Sequence, residues 1–123
     1  MQCMDVMSTG VFSIGAGDTV LAAACRLRDA NVQFLLVCNA AGDVVGTLTD
    51  RDVAVRLAAE DRIASRSVVD DIMTPEVASC RATDDVARAQ ELMLLQGTPR
   101  VLVTNDEGRL QGVVTLVDVL PRH

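Results

Sequence analysis

The chain has no lysine, no tryptophan and no tyrosine; Phe12 and Phe34 are its only aromatic residues, and its one histidine is His123. Without lysine there is no Schiff-base nucleophile and no P-loop ammonium, and all eleven basic residues are arginine. Without an internal histidine, no nucleophile is paired with a base, and no cluster of residues has metal-ligand spacing. The chain is therefore read as non-enzymatic and metal-free. The shortage of aromatics means that a core drawn from a chain 50% hydrophobic must be aliphatic. A basic stripe is also missing. The net charge of −6 argues against nucleic acid and against an anionic membrane surface. No apolar run approaches the ~20 residues that span a bilayer. The start of the chain, with Asp5 early and no basic segment, does not resemble a signal peptide. Cys3, Cys25, Cys38 and Cys80 form no C-x-x-C pair. They read as small reduced hydrophobes in a cytoplasmic protein.

What the sequence does have is an internal echo. Shifted by 66 positions, residues 1–57 align without a gap on residues 67–123, and 17 of 57 pairs are identical. The matches include Asp5/Asp71, Met7/Met73, Asp18/Asp84, Leu36/Leu102, Gly46/Gly112, Thr49/Thr115 and Asp52/Asp118. A fixed period marks a repeated structural unit. Here it divides the chain into 1–59, a polar linker 60–67, and 68–123. The 123 residues suit one compact module. Neither half buries its apolar faces well alone, so packing one against the other is expected.

Each copy reads strand, helix, strand, strand, helix. Val11–Ile14 is a short apolar strand, and Asp18 is placed to cap the helix that carries Val20, Ala23 and Leu27 on one face. Residues 33–38 and 44–48 make a hairpin around the polar turn 39–42. Thr49 then opens a helix to about Ala59. The second copy repeats this order with Val77–Cys80, a helix from Thr83-Asp84, the strands 100–104 and 110–114, and a last helix from Thr115. Pro121 is expected to end that helix early.

The sharpest local feature is Gly-x-x-Thr-x-x-Asp at the junction of strand and helix, as Gly46–Asp52 and again as Gly112–Asp118. A glycine without a Cβ lets a ligand or another backbone approach. The helix start offers unpaired N–H donors to an anion. A Thr hydroxyl can donate to a phosphate oxygen, and an Asp carboxylate can accept from a ribose diol. The same spacing is also that of a capping box, in which Thr and Asp serve the helix itself.

Taken together, the sequence resembles a tandem pair of CBS domains, the regulatory module named after cystathionine β-synthase. The resemblance rests on Asp5-Val6-Met7-Ser8 and Asp71-Ile72-Met73-Thr74-Pro75 opening the copies, and on the Gly-x-x-Thr-x-x-Asp near each end. The closing stretch 108–120 is typical of the family, and Leu48–Arg56 is similar to small stand-alone bacterial members. The resemblance implies an α/β (α+β) fold of two β-α-β-β-α repeats about a pseudo-two-fold axis, with clefts for an adenine nucleotide. AMP, ADP or ATP comes first; NAD or S-adenosylmethionine is the less favoured ligand. It implies Asp52 and Asp118 for the ribose, and Thr49 and Thr115 for the phosphate. The first strand of the other copy would carry the adenine, which pairs Thr49/Asp52 with Val77–Cys80 and Thr115/Asp118 with Val11–Ile14. Members place a basic residue before the hairpin's first strand. Arg100 matches it, whereas Phe34 stands at that position in copy one, with Arg51 as another phosphate partner. The two sites are therefore expected to be unequal. A homodimer is implied as well, weakened by the early stop at Pro121. The competing reading is an interaction scaffold of the same fold with empty clefts.

Overall fold

A computed structural model describes residues 1–75 and 78–120. The chain forms two compact units, one contiguous (Phe12–Val77) and one in two parts (Met1–Val11 with Ala78–His123). In the contiguous unit β1 (Ser13–Gly15) runs parallel to β2 (Phe34–Cys38), which a connection through α1 (Val20–Ala30) makes possible. The chain turns at Asn39, whose Oδ1 accepts the N–H groups of Ala41 and Asp43 at 3.0 Å each. Gly42 takes the left-handed conformation this turn needs (φ 88°). β3 (Val44–Thr49) returns antiparallel to β2, and β4 (Thr74–Pro75) adds antiparallel to β3, giving the order β1-β2-β3-β4. After β3 the chain enters α2 (Asp50–Asp52), which continues as a π-helical stretch, Val53–Ala58.

The two-part unit repeats the plan. β5 (Ser79–Arg81) is parallel to β6 (Arg100–Thr104), and β7 (Leu110–Thr115) is antiparallel to β6. α3 (Val86–Gln96) ends at Gly97, left-handed at φ 63°, and α4 (Leu116–Val119) follows β7. The β-α-β-β-α order expected from the sequence is present in each unit. Its core is the helix-facing side of the sheet. Leu35, Val37 and Leu48 pack with Val20, Ala23 and Leu27 of α1, and Val101, Val103 and Val114 pack with Ala89 and Met93 of α3. Alternate residues point to the opposite face. There Leu36, Thr47, Leu102 and Val113 are buried as well.

The segment that opens each copy packs in the unit built from the other copy's strands. In the contiguous unit the Val20 N–H donates to Ser67 O (2.8 Å), Val69 to Asp18 O (2.9 Å) and Asp70 to Ala16 O (3.0 Å). In the two-part unit the Val86 N–H donates to Met1 O (3.0 Å), Cys3 to Asp84 O (2.8 Å) and Met4 to Ala82 O (2.9 Å). Each bond has its counterpart 66 residues away. The exchange explains β4, which comes from residues 74–75, and the matching bridge of Ser8 to Val113.

Two expectations need correction, and one is met. Asp18 does not cap α1; its Oδ2 accepts from the Gly15 N–H at 2.9 Å and closes the turn, as Asp84 does for Arg81 at 2.8 Å. The caps are the next residues, Thr19 for α1 and Asp85 for α3. The first strand begins at Ser13, so Val11 lies outside it, while Val77 lies outside the described residues. The last helix is a single turn, with Leu120 already extended (φ −70°, ψ 144°). That is the conformation a residue before proline favours, although Pro121 itself is outside the described residues. Among the described residues no helix is long and apolar enough to cross a membrane.

Candidate functional site

Both Gly-x-x-Thr-x-x-Asp motifs run from the second hairpin strand into a helix start, and both form the capping arrangement. In the first, the Asp52 N–H donates to Thr49 Oγ1 (3.0 Å) and the Thr49 N–H donates to Asp52 Oδ2 (3.0 Å). In the second, Asp118 Oδ2 accepts from the Thr115 N–H (2.8 Å) and from the Thr115 hydroxyl (2.9 Å). The glycines admit backbone rather than an open space. A Cβ on Gly46 would stand 2.6 Å from Thr74 O, and one on Gly112 would stand 2.8 Å from Ser8 O.

Beyond this shared frame the two sites diverge. Asp52 is 8% exposed and its second oxygen is engaged: Oδ1 accepts from the Thr74 hydroxyl at 3.2 Å and lies 3.9 Å from Arg56 Nε. Arg56 is itself held, its Nη1 donating to Met73 O at 2.8 Å. Asp118 is half-buried, and among the described residues its Oδ1 has no hydrogen-bond partner. Opposite Thr115 in the β6–β7 register stands Arg100, and opposite Thr49 stands Phe34. Directly opposed residues share a face, so Arg100, Thr115 and the start of α4 with Asp118 lie together at one end of one sheet. Arg100, Thr115 and Asp118 are thereby gathered in the two-part unit. The contiguous unit has instead an apolar ring and a carboxylate used internally. One further polar atom there is notable: Thr47 Oγ1 is buried without a hydrogen-bond partner among the described residues.

The structure places the remaining sequence candidates elsewhere. Ile14 packs against the core of the contiguous unit, and Cys80 is buried in the core of the two-part unit. Arg51 is exposed on α2. Sequence reasoning missed Thr74 and Arg56, the partners that occupy Asp52. The available signal was that Thr74 belongs to the second copy's opening segment, whose counterpart is Ser8. It also missed Met7 and Ser8 as neighbours of Gly112.

Two units of β-α-β-β-α, each with a Gly-x-x-Thr-x-x-Asp turn, define a repeated α/β module. The family model "CBS domain" matches residues 3–59 and again 69–122. The chain belongs to the CBS domain family and carries two such domains. Among curated proteins it is 34% identical over 102 residues to the uncharacterized protein MJ1404 of Methanocaldococcus jannaschii, covering 83% of this chain and 24% of that one. It is 30% identical over 115 residues to the CBS domain-containing protein YhcV of Bacillus subtilis, covering 94% and 80%. The chain thus spans about a quarter of MJ1404, and 53% of a further relative, the uncharacterized protein MK0525 of Methanopyrus kandleri. Among solved structures, a conserved CBS domain protein of Thermoplasma acidophilum, TA0289, superposes with a TM-score of 0.86 at 23% identity, covering 99% of this chain and 70% of that one. The CBS domain pair of protein MJ0100, solved with 5′-methylthioadenosine and S-adenosyl-L-methionine, gives 0.81 at 24% identity, covering 97% and 92%.

Proposed function

We propose that this CBS pair is a cytoplasmic regulatory module that binds an adenine nucleotide, AMP, ADP or ATP, through Thr115, Asp118 and Arg100. The observation that carries this reading is the Asp118 carboxylate. One oxygen is fixed by the Thr115 N–H and hydroxyl, and the other, which has no hydrogen-bond partner among the described residues, is the one assigned to a ribose diol. Arg100, beside Thr115 on the same sheet face, supplies the positive charge that a phosphate requires. The bound adenosine compounds of the MJ0100 domain pair support the ligand class. The Thr49/Asp52 motif is the weaker site, because Thr74 and Arg56 already use its carboxylate. The test is a thermal-shift screen with AMP, ADP, ATP, NAD and S-adenosylmethionine. A ligand at ~100 times its dissociation constant stabilises by about 2.7 kcal/mol. A flat response to all five sinks the reading and leaves a scaffold.

One observation favours a homodimer beside this function. Leu94 and Leu95 of α3 are 85% and 69% exposed, and Val117 of α4 is 74% exposed. The residues 66 positions earlier are Arg28, Asp29 and Arg51, of which the first two form an exposed ion pair at 2.8 Å. The same fold therefore carries charge at these positions in one copy and bare aliphatic side chains in the other. Gln90 Nε2 donates to Val119 O (3.2 Å), which ties α3 to the end of α4. Exposed aliphatic side chains on two helices joined in this way suit a protein contact, and we assign it to a second copy. Leu94→Glu together with Val117→Glu is expected to convert the dimer to monomer in sedimentation equilibrium. A wild type that sediments as a monomer at high concentration overturns the assignment.

A further inference from the structure

Two of the four thiols are brought together by the exchange of opening segments. Cys3 arrives with residues 1–11, Cys80 lies on β5, and their Sγ atoms are 3.6 Å apart with both residues buried. The counterparts in the contiguous unit are Val69 and Ile14, an ordinary aliphatic contact in that core. The thiol pair thus stands where packing alone is satisfied by hydrocarbon. Cys25 and Cys38 lie in the contiguous unit, and all four cysteines are free.

We propose that Cys3 and Cys80 are a redox-modifiable pair, oxidised by a small-molecule disulfide to an intrachain bond that locks the opening segment onto β5. The Cys3 thiolate attacks one sulfur of the reagent and expels the other as a thiolate, leaving a mixed disulfide on Cys3. The Cys80 thiolate then attacks the Cys3 sulfur, breaks the mixed bond and expels the second half of the reagent. The two protons released by the cysteines end on the two expelled thiolates. The reagent is reduced by two electrons, and the protein loses two hydrogen atoms.

The surroundings make this reaction slow in the closed state. Burial raises the Cys80 thiol to about 12, reinforced by its contact with Cys3 and by the carboxylate of Asp84, with Arg88 opposing. Burial also raises Cys3, with Asp84 and Asp85 adding to it while the contact with Cys80 lowers it. Attack therefore requires release of residues 1–8. Backbone bonds of Cys3 to Asp84 O and of Met4 to Ala82 O hold that segment, so the reaction proceeds from a locally opened state. Once formed, the bond closes a long loop and stabilises the folded state chiefly by restricting the unfolded one. It also fixes the segment whose Ser8 and Met7 lie against Gly112. The inference stands whether or not a nucleotide binds.

The test incubates the full chain with excess glutathione disulfide, followed by thiol counting, intact mass and peptide mapping. Expected are a loss of two thiols and two hydrogens, a linked pair of peptides containing Cys3 and Cys80, and full reversal by dithiothreitol. The oxidised form should melt several degrees above the reduced form, as an order-of-magnitude expectation for a long closed loop. The Cys25→Ser/Cys38→Ser variant, which leaves the pair intact, must behave in the same way. Cys3→Ser must not form the bond. An unlinked Cys3–Cys80 pair in the Cys25→Ser/Cys38→Ser variant overturns the proposal, as does linkage of a different pair or glutathione retained on the protein.

Discussion

Asp118→Ala is expected to remove most of the melting-temperature rise given by the active nucleotide, while the protein stays folded. A hydrogen bond to a charged group contributes about 1.5–3 kcal/mol, so losing it weakens binding roughly 10- to 100-fold. At a ligand concentration ~100 times the wild-type dissociation constant, stabilisation then falls from about 2.7 kcal/mol to between about 0.4 and 1.4 kcal/mol. In a domain of this size the former is a shift of about 10 °C. Asp118→Asn separates ligand from helix start, because its amide oxygen still accepts from the Thr115 N–H but the open position loses its charge. Asp52→Ala should do the reverse. It unpairs the Thr49 N–H and the Thr74 hydroxyl and removes the carboxylate beside Arg56, and costs about 1–3 kcal/mol of stability. The ligand response should survive in it. A response that persists in Asp118→Ala and vanishes in Asp52→Ala would put the site in the other unit.

The second large effect is steric. Gly46→Val brings a branched side chain to a point where even a Cβ would lie 2.6 Å from Thr74 O and 2.8 Å from Met73 Sδ. The sulfur can swing away, but the carbonyl belongs to β4 and cannot yield without breaking the Gly46–Pro75 and Thr47–Thr74 pairing. Overpacking of this kind costs about 1–3 kcal/mol and more when backbone must shift, and chemical denaturation reads it directly. Gly17→Ala is the control, since nothing lies within 4 Å of its Cβ position. Equal stability of the two variants would show that β4 is not held where the structure has it.

How far the sequence could be read follows from its own symmetry. The 66-residue period and the short continuous apolar runs in residues 33–38 and 100–104 reveal the element order, because a strand buried on both faces carries apolar residues without alternation. The Thr and Asp of each motif are legible for the same local reason. Asp18 and Thr19 are adjacent cap-forming residues, and only the backbone decides that the first turn uses Thr19. The exchange of opening segments is invisible for a deeper reason. Cys3 bonding Asp84 with Val69 bonding Asp18 has the same sequence signature as the unexchanged arrangement, since the period maps one onto the other. The inequality of Asp52 and Asp118 was expected from Phe34 and Arg100. Its larger source, Thr74 reaching Asp52 from 22 residues away, depends on that hidden exchange.

The exchange also displaces the effects of mutation from the places a sequence map would assign them. A change at residues 1–8 perturbs the surroundings of Gly112 and the second motif, and a change at residues 67–74 perturbs those of Gly46 and the first. Inheritance runs by copy, while folding runs by unit. A duplicated half of this gene carries the opening segment that the other half needs, so each copy constrains how far its twin can drift.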